Sequence, residues 1–200
     1  GGDFKVAIGK PITWLVLISC TLAVIASSSI MQHGIPTMVI SGFTPEKATA
    51  IISMLSIIMI FTGPVIGVIC DKFRLSVAAV GAAASFAIAA LGLSMMGTSQ
   101  AGVWLFCIFY ILGVPTINII SPLLMSYMYG EKDMPRLIGY VNMFISIGGA
   151  IGAAGLGALY EHYGTYQMPW MIMAGVLALV AVIRAIATTK KRKYNPETDM

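Results

Sequence analysis

The sequence predicts an all-α, polytopic membrane protein: one domain over residues 1–200, built from six transmembrane helices. Three observations lead there. Of the residues, 58% are hydrophobic and only 10% charged, whereas a soluble domain carries about a quarter charged residues, and the mean hydropathy is +0.89. Six apolar runs alternate with short polar or charged connections, each run near the ~20 residues that cross a hydrocarbon core. Basic residues fall on alternate connections: Lys5, Lys10, Lys72, Arg74, Lys132, Arg136, Arg184 and the cluster Lys190, Lys191, Arg192, Lys193 share one side, and Lys47 stands alone on the other. The positive-inside rule then predicts a multi-pass cell-membrane protein with both termini cytoplasmic.

The first helix is expected over 12–31, with Lys10 and Pro11 before it and Trp14 placed as an interfacial anchor. Its far half turns polar at Ser27, Ser28, Ser29, Gln32 and His33. Ser28 and Gln32 are four apart, as are Ser29 and His33, so they form one stripe. Either the stripe hydrogen-bonds a neighbouring helix, or it lines a water-filled cavity. His33 also titrates by residue type near neutrality, and reads either as a proton relay or as a neutral ring bonded to backbone. Gly34, Ile35 and Pro36 predict a break or bend. The second helix is expected over 45–70, with Thr44 as N-cap, Pro45 at the first position and Glu46 complementing the dipole. Ser53, Ser56, Ile60, Gly63 and Gly67 share a narrow face that reads as a packing seam, and Pro64 predicts a kink.

Between the second and third helices lies Gly67-Val68-Ile69-Cys70-Asp71-Lys72-Phe73-Arg74, a charged turn flanked by runs with no ionisable side chain. Gly67 and Asp71 are four apart and share a face; Asp71 alone would also serve as a helix cap. The third helix, 75–96, is rich in Gly and Ala and reads as scaffold. The fourth, 103–128, carries Pro115 and Pro122 seven apart, with Asn118 and Ser121 between them. Broken helices at membrane depth tend to line cavities, because the freed carbonyls need partners. The fifth, 137–160, carries Asn142 and Ser146, then Gly148 and Gly152 as a small-xxx-small pair expected to face a missing partner. The sixth, 168–187, is nearly bare of polar chemistry, and no Lys, Arg, Asp or Glu is expected deep in any run.

Net charge is +4, but it lies in loops and a tail instead of on a folded basic face, so no nucleic-acid partner is expected. The terminal basic cluster suits an anionic lipid surface. Cys20, Cys70 and Cys107 lack metal-ligand spacing and read as small buried residues, so neither metal nor cofactor is expected. A chain that opens Gly1-Gly2-Asp3 without Met, and has no cleavable signal, is expected to be a piece of a longer chain.

The turn at Gly67, Asp71 and Lys72 resembles the signature loop of the major facilitator superfamily, between the second and third helices of each six-helix half. The match is partial, since Arg74 stands where the family has its second glycine, and Ser76 and Val77 where it has a basic pair. The resemblance covers almost the whole chain. It implies half of a major-facilitator fold, built as a 3+3 repeat, with Gly67, Asp71, Lys72 and Arg74 as a cytoplasmic latch. Lys10-Pro11-Ile12-Thr13-Trp14 resembles the entry to the C-terminal half. Ser29 through Pro36, followed by Gly42-Phe43-Thr44-Pro45, is similar to the monocarboxylate and oxalate–formate branch. That branch often carries an Arg before a Pro in the second helix of this half, where this chain has Gly63 before Pro64.

The expected function is secondary active transport of a small polar metabolite, with a carboxylate among the candidates, by symport or antiport and alternating access. The alternative is a non-transporting sensor or assembly protein of the same fold. Expected cavity residues are Ser28, Ser29, Gln32, His33, Asn118, Ser121, Asn142 and Ser146, with Gly63, Gly148 and Gly152 in helix packing. Expected partners are a small-molecule substrate, the lipid bilayer, and a missing N-terminal six-helix half or a second copy of this half. No phosphate loop and no nucleophile–base pair is present in the sequence, so an enzyme is not expected.

Overall fold

A computed structural model describes residues 9–72, 74–129 and 134–189, all in helices or short turns. The helices are α1 (Pro11–Ile40), α2 (Pro45–Lys72), α3 (Leu75–Met95), α4 (Gln100–Tyr129), α5 (Met134–Tyr163) and α6 (Gln167–Thr189). Among the described residues, all six are long and apolar enough to cross a membrane. At 1.5 Å per residue, even α3, with 21 residues, spans about 30 Å, the thickness of a hydrocarbon core. Lys132 and the 190–193 cluster lie outside the described residues; of Asp71, Asn118 and Arg136 only the backbone is described.

The expected break at Gly34-Ile35-Pro36 does not occur: α1 runs through Pro36 to Ile40. Pro36 is exposed, so its ring and missing N–H fall on the outside of the bundle. Near it, the Thr37 hydroxyl donates to the His33 carbonyl at 2.6 Å and the Ser41 hydroxyl to the Thr37 carbonyl at 2.7 Å. The chain turns only at Gly42, whose φ of 99° is open to glycine without strain. There Phe43 N–H donates to Met38 O and Gly42 N–H to Val39 O, both at 3.0 Å, a Schellman end. Phe43 then packs on the core that holds Met38. Thr44 caps α2 as expected, accepting from Lys47 N–H at 3.4 Å.

The packing obeys an internal two-fold relation. α1 lies along α5 and α4 touches α2; α3 lies along α4 and α1 along α6; α3 and α6 pack on each other. Exchanging α1 with α4, α2 with α5 and α3 with α6 maps each of these pairs onto another or onto itself. That is the pattern of two interlocked three-helix repeats. The α3–α4 contact is made by glycine: a Cβ on Gly92 would lie 2.5 Å from Phe106 N, and one on Gly102 2.7 Å from Gly92 O. Phe86, Phe106 and Tyr110 fill the adjoining core, with ring centroids 5.1 Å apart for Phe106–Tyr110 and 6.2 Å for Phe86–Tyr110. α2 and α5 are the least buried helices, and bear long exposed apolar faces with Ile57, Ile60, Phe61, Val65, Ile147 and Ile151.

Candidate functional site

The polar stripe of α1 divides between burial and exposure. Ser29 is fully buried; its hydroxyl lies 2.7 Å from Ile25 O and 2.9 Å from Gly152 O and shares its proton between them. Ser28 is half-buried and donates to Ile25 O at 3.1 Å. Both residues meet α5 where Gly148 and Gly152 bring its backbone against α1. A Cβ on Gly148 would lie 2.8 Å from Thr21 O, and one on Gly152 would collide with Ser28 Oγ and Ile25 O. The expectation that this seam faces a missing partner is therefore corrected: it is an internal contact. Gly63 and Gly67 have nothing within 4 Å and keep an open face on α2.

One turn further out, His33 is half-buried between α5 and the α5–α6 turn. Its Nε2 lies 3.0 Å from Ala153 O. A carbonyl can only accept, so Nε2 carries the proton, and Nδ1 accepts from Tyr166 Oη at 3.2 Å. Tyr160 stacks on Tyr166 with centroids 4.2 Å apart. Burial, then the neighbouring Tyr160, pushes the Tyr166 phenol above its ordinary range, so it stays a proton donor. Thr37 extends the cluster by accepting from Trp170 Nε1 at 2.9 Å in a buried bond. These contacts tie the C-terminal part of α1 to α5 and α6. Beside them opens a recess of about 220 Å³ lined by Thr37, Ser41, Ser94, Thr98, Tyr166 and Gln167 among others.

Gln32, Asn142 and Ser146 are exposed on the surface of the half, and Ser146 donates to Asn142 O at 2.9 Å. Ser121, expected on a cavity wall, is instead buried at 3% exposure; Asn118 is in α4, with its side chain outside the described residues. On the α2–α3 connection Lys72 and Arg74 are exposed, and Asp71 lies in the last turn of α2.

Sequence reasoning missed one charged residue. Arg184, expected at a water-facing helix end, is fully buried, so the expectation that no cation lies deep in the runs is corrected. Its Nη2 donates to Ser121 Oγ at 3.3 Å. The signal was present in the spacing: Trp170, Met173, Leu177, Val180, Arg184 and Ala187 are all buried and step by three and four along one face of α6.

Six membrane-length helices in two interlocked triplets define a polytopic membrane protein. A family model described as the MFS_1-like family matches residues 36–200. The chain belongs to that family and has the architecture of one six-helix half of the major facilitator superfamily. The match is to the family as a whole and does not distinguish its branches. No curated protein matches the chain.

Proposed function

We propose that this chain is one half of a secondary active transporter that carries a small polar metabolite, with carboxylates among the candidates, by alternating access across the cell membrane. The observation that carries this reading is Gln32, an amide eight residues inside the end of α1 (Ile40) that is nevertheless exposed. Facing hydrocarbon, that amide would leave its donors and acceptor unmet at considerable cost, so it faces a wetted path shared with a second half. Ser28 on α1, and Asn142 and Ser146 on α5, extend the same wall; Asn118 joins it in this reading, and His33 stands at its outer mouth.

The second half, an N-terminal six-helix half or another copy of this one, docks on the open faces of α2 and α5. Gly67, Asp71, Lys72 and Arg74 form the latch on the cytoplasmic side, which in this reading also carries both termini. In support, Gly67 has open space over it, and Lys72 and Arg74 are free to reach across. The test is counterflow in proteoliposomes with this half assembled with its second half, and a panel of labelled mono- and dicarboxylates and neutral polar metabolites. Saturable exchange is expected with at least one class. No exchange with any of them, from protein shown to be folded and inserted, refutes the transporter reading.

A further inference from the structure

Arg184 is a full charge enclosed inside the half with too few partners. A guanidinium carries five N–H donors and stays protonated in proteins. Here Nη2 reaches Ser121, while Nε and Nη1 have no hydrogen-bond partner, so three donors meet no acceptor. The Cys20 thiol of α1, a weak acceptor, also lies against the group. Cys20 lies nine residues from Pro11 and Ser121 eight from Tyr129. At the helical rise, the guanidinium therefore sits about 12–14 Å inside that face of the bundle. Val16, Leu17, Ile120, Leu124 and Ala187, from the same helices, form an apolar cluster there.

An arginine in such a place needs a counter-charge, because desolvation of an unpaired ion is not offset by one neutral hydrogen bond. Among the described residues Arg184 makes no ion pair. The carboxylates whose side chains are described, Glu46 at the start of α2 and Glu161 near the end of α5, lie at the opposite face of the bundle from Arg184.

We propose that Arg184 is an anion site within the half: its free Nε–H and Nη1–H groups bind one small monovalent anion, a carboxylate or a halide, while Ser121 holds the guanidinium in place. Ser121 immediately precedes Pro122, where α4 lacks a backbone N–H, so the wall over the site is the part of α4 best able to yield and admit an ion. The site depends on the transporter reading only for the origin of its anion: a carboxylate would be one end of the cargo, and a halide a co-transported or structural ion.

The test uses the full chain in nanodiscs, with ionic strength held by a large organic sulfonate. Thermal unfolding is followed while chloride is titrated in one arm and acetate in the other. A saturable rise in melting temperature is expected in at least one arm, and its loss in Arg184→Gln. A rise with chloride alone assigns the site to a halide, and one with acetate alone to a carboxylate. If Arg184→Gln does not fold, Arg184→Lys keeps the charge without the planar fork and should weaken the anion response about tenfold or more. No saturable rise in either arm, or a rise that survives unchanged in the variants, overturns the proposal. A drop in stability that is equal at every anion concentration also overturns it, because it makes Arg184 a prop for α4. Binding is read without transport, so failed counterflow with an intact anion response would sink the transporter reading and leave this site standing.

Discussion

Adding one methyl group at Gly152 tests the α1–α5 contact on which the inner geometry rests. In Gly152→Ala the new Cβ points at Ser28 Oγ and Ile25 O, with Ile25 Cα 2.9 Å away. Two of these three atoms are backbone and cannot move without shifting α1. Overpacking of this rigid kind costs about 3 kcal/mol, the upper part of its usual range, and Ala returns about 1 kcal/mol through helix propensity. The net loss is about 2 kcal/mol. For a chain of this size that lowers the melting temperature by roughly 4–8 °C. Any shift of α1 also disturbs the Ser29 bond to Gly152 O. The control is Gly175→Ala, on the exposed side of α6 with nothing within 4 Å, which should be neutral or slightly stabilising. The assay is thermal unfolding of both variants and the parent in one detergent. Equal melting temperatures for Gly152→Ala and Gly175→Ala would refute the close crossing of α1 and α5.

Asp71→Asn should depress transport while leaving expression and insertion near the parent's; equal uptake would leave Asp71 as no more than a helix-end residue. This chain expressed alone should self-associate or lose stability in detergent, because α2 and α5 leave long apolar faces and the Gly63–Gly67 seam uncovered; a stable, strictly monomeric species on light scattering would count against that assignment. His33→Gln should reproduce the parent's transport across the pH range in which imidazoles ordinarily titrate, because the amide can still donate to Ala153 O and accept from Tyr166. A parent profile that bends with pH while the Gln variant stays flat would make His33 a proton carrier.

The six helices were legible because lipid imposes a length and a hydropathy that few other environments impose, and their ends were legible where chemistry is local. Thr44-Pro45 starts α2 with a hydroxyl cap that depends on adjacent residues only. Pro36 misled for the opposite reason: whether a proline breaks a helix depends on which face it occupies and what repairs its surroundings. Here the face decides, since Pro36 lies on the exposed side of α1. The glycine seams show the same limit. Gly63–Gly67 and Gly148–Gly152 are the same four-residue pattern, and the pattern states that something comes close without saying what. One pair lies open and the other is pressed against α1.

Arg184 differs from these, because the information was in the sequence and was overruled by charge. A basic residue six before a Lys-Lys-Arg-Lys run reads naturally as part of that run. Yet the position belongs to the stripe of Trp170, Leu177 and Val180, and helical phase decides which side of a helix a residue occupies regardless of what the residue is. Where phase and polarity disagree inside a membrane, burial cannot be a packing accident, since lipid supplies no compensating hydrogen bonds. The disagreement itself points to a second charge, which is why the residue that the hydropathy reading assigned to the surface is the one that most needs a ligand.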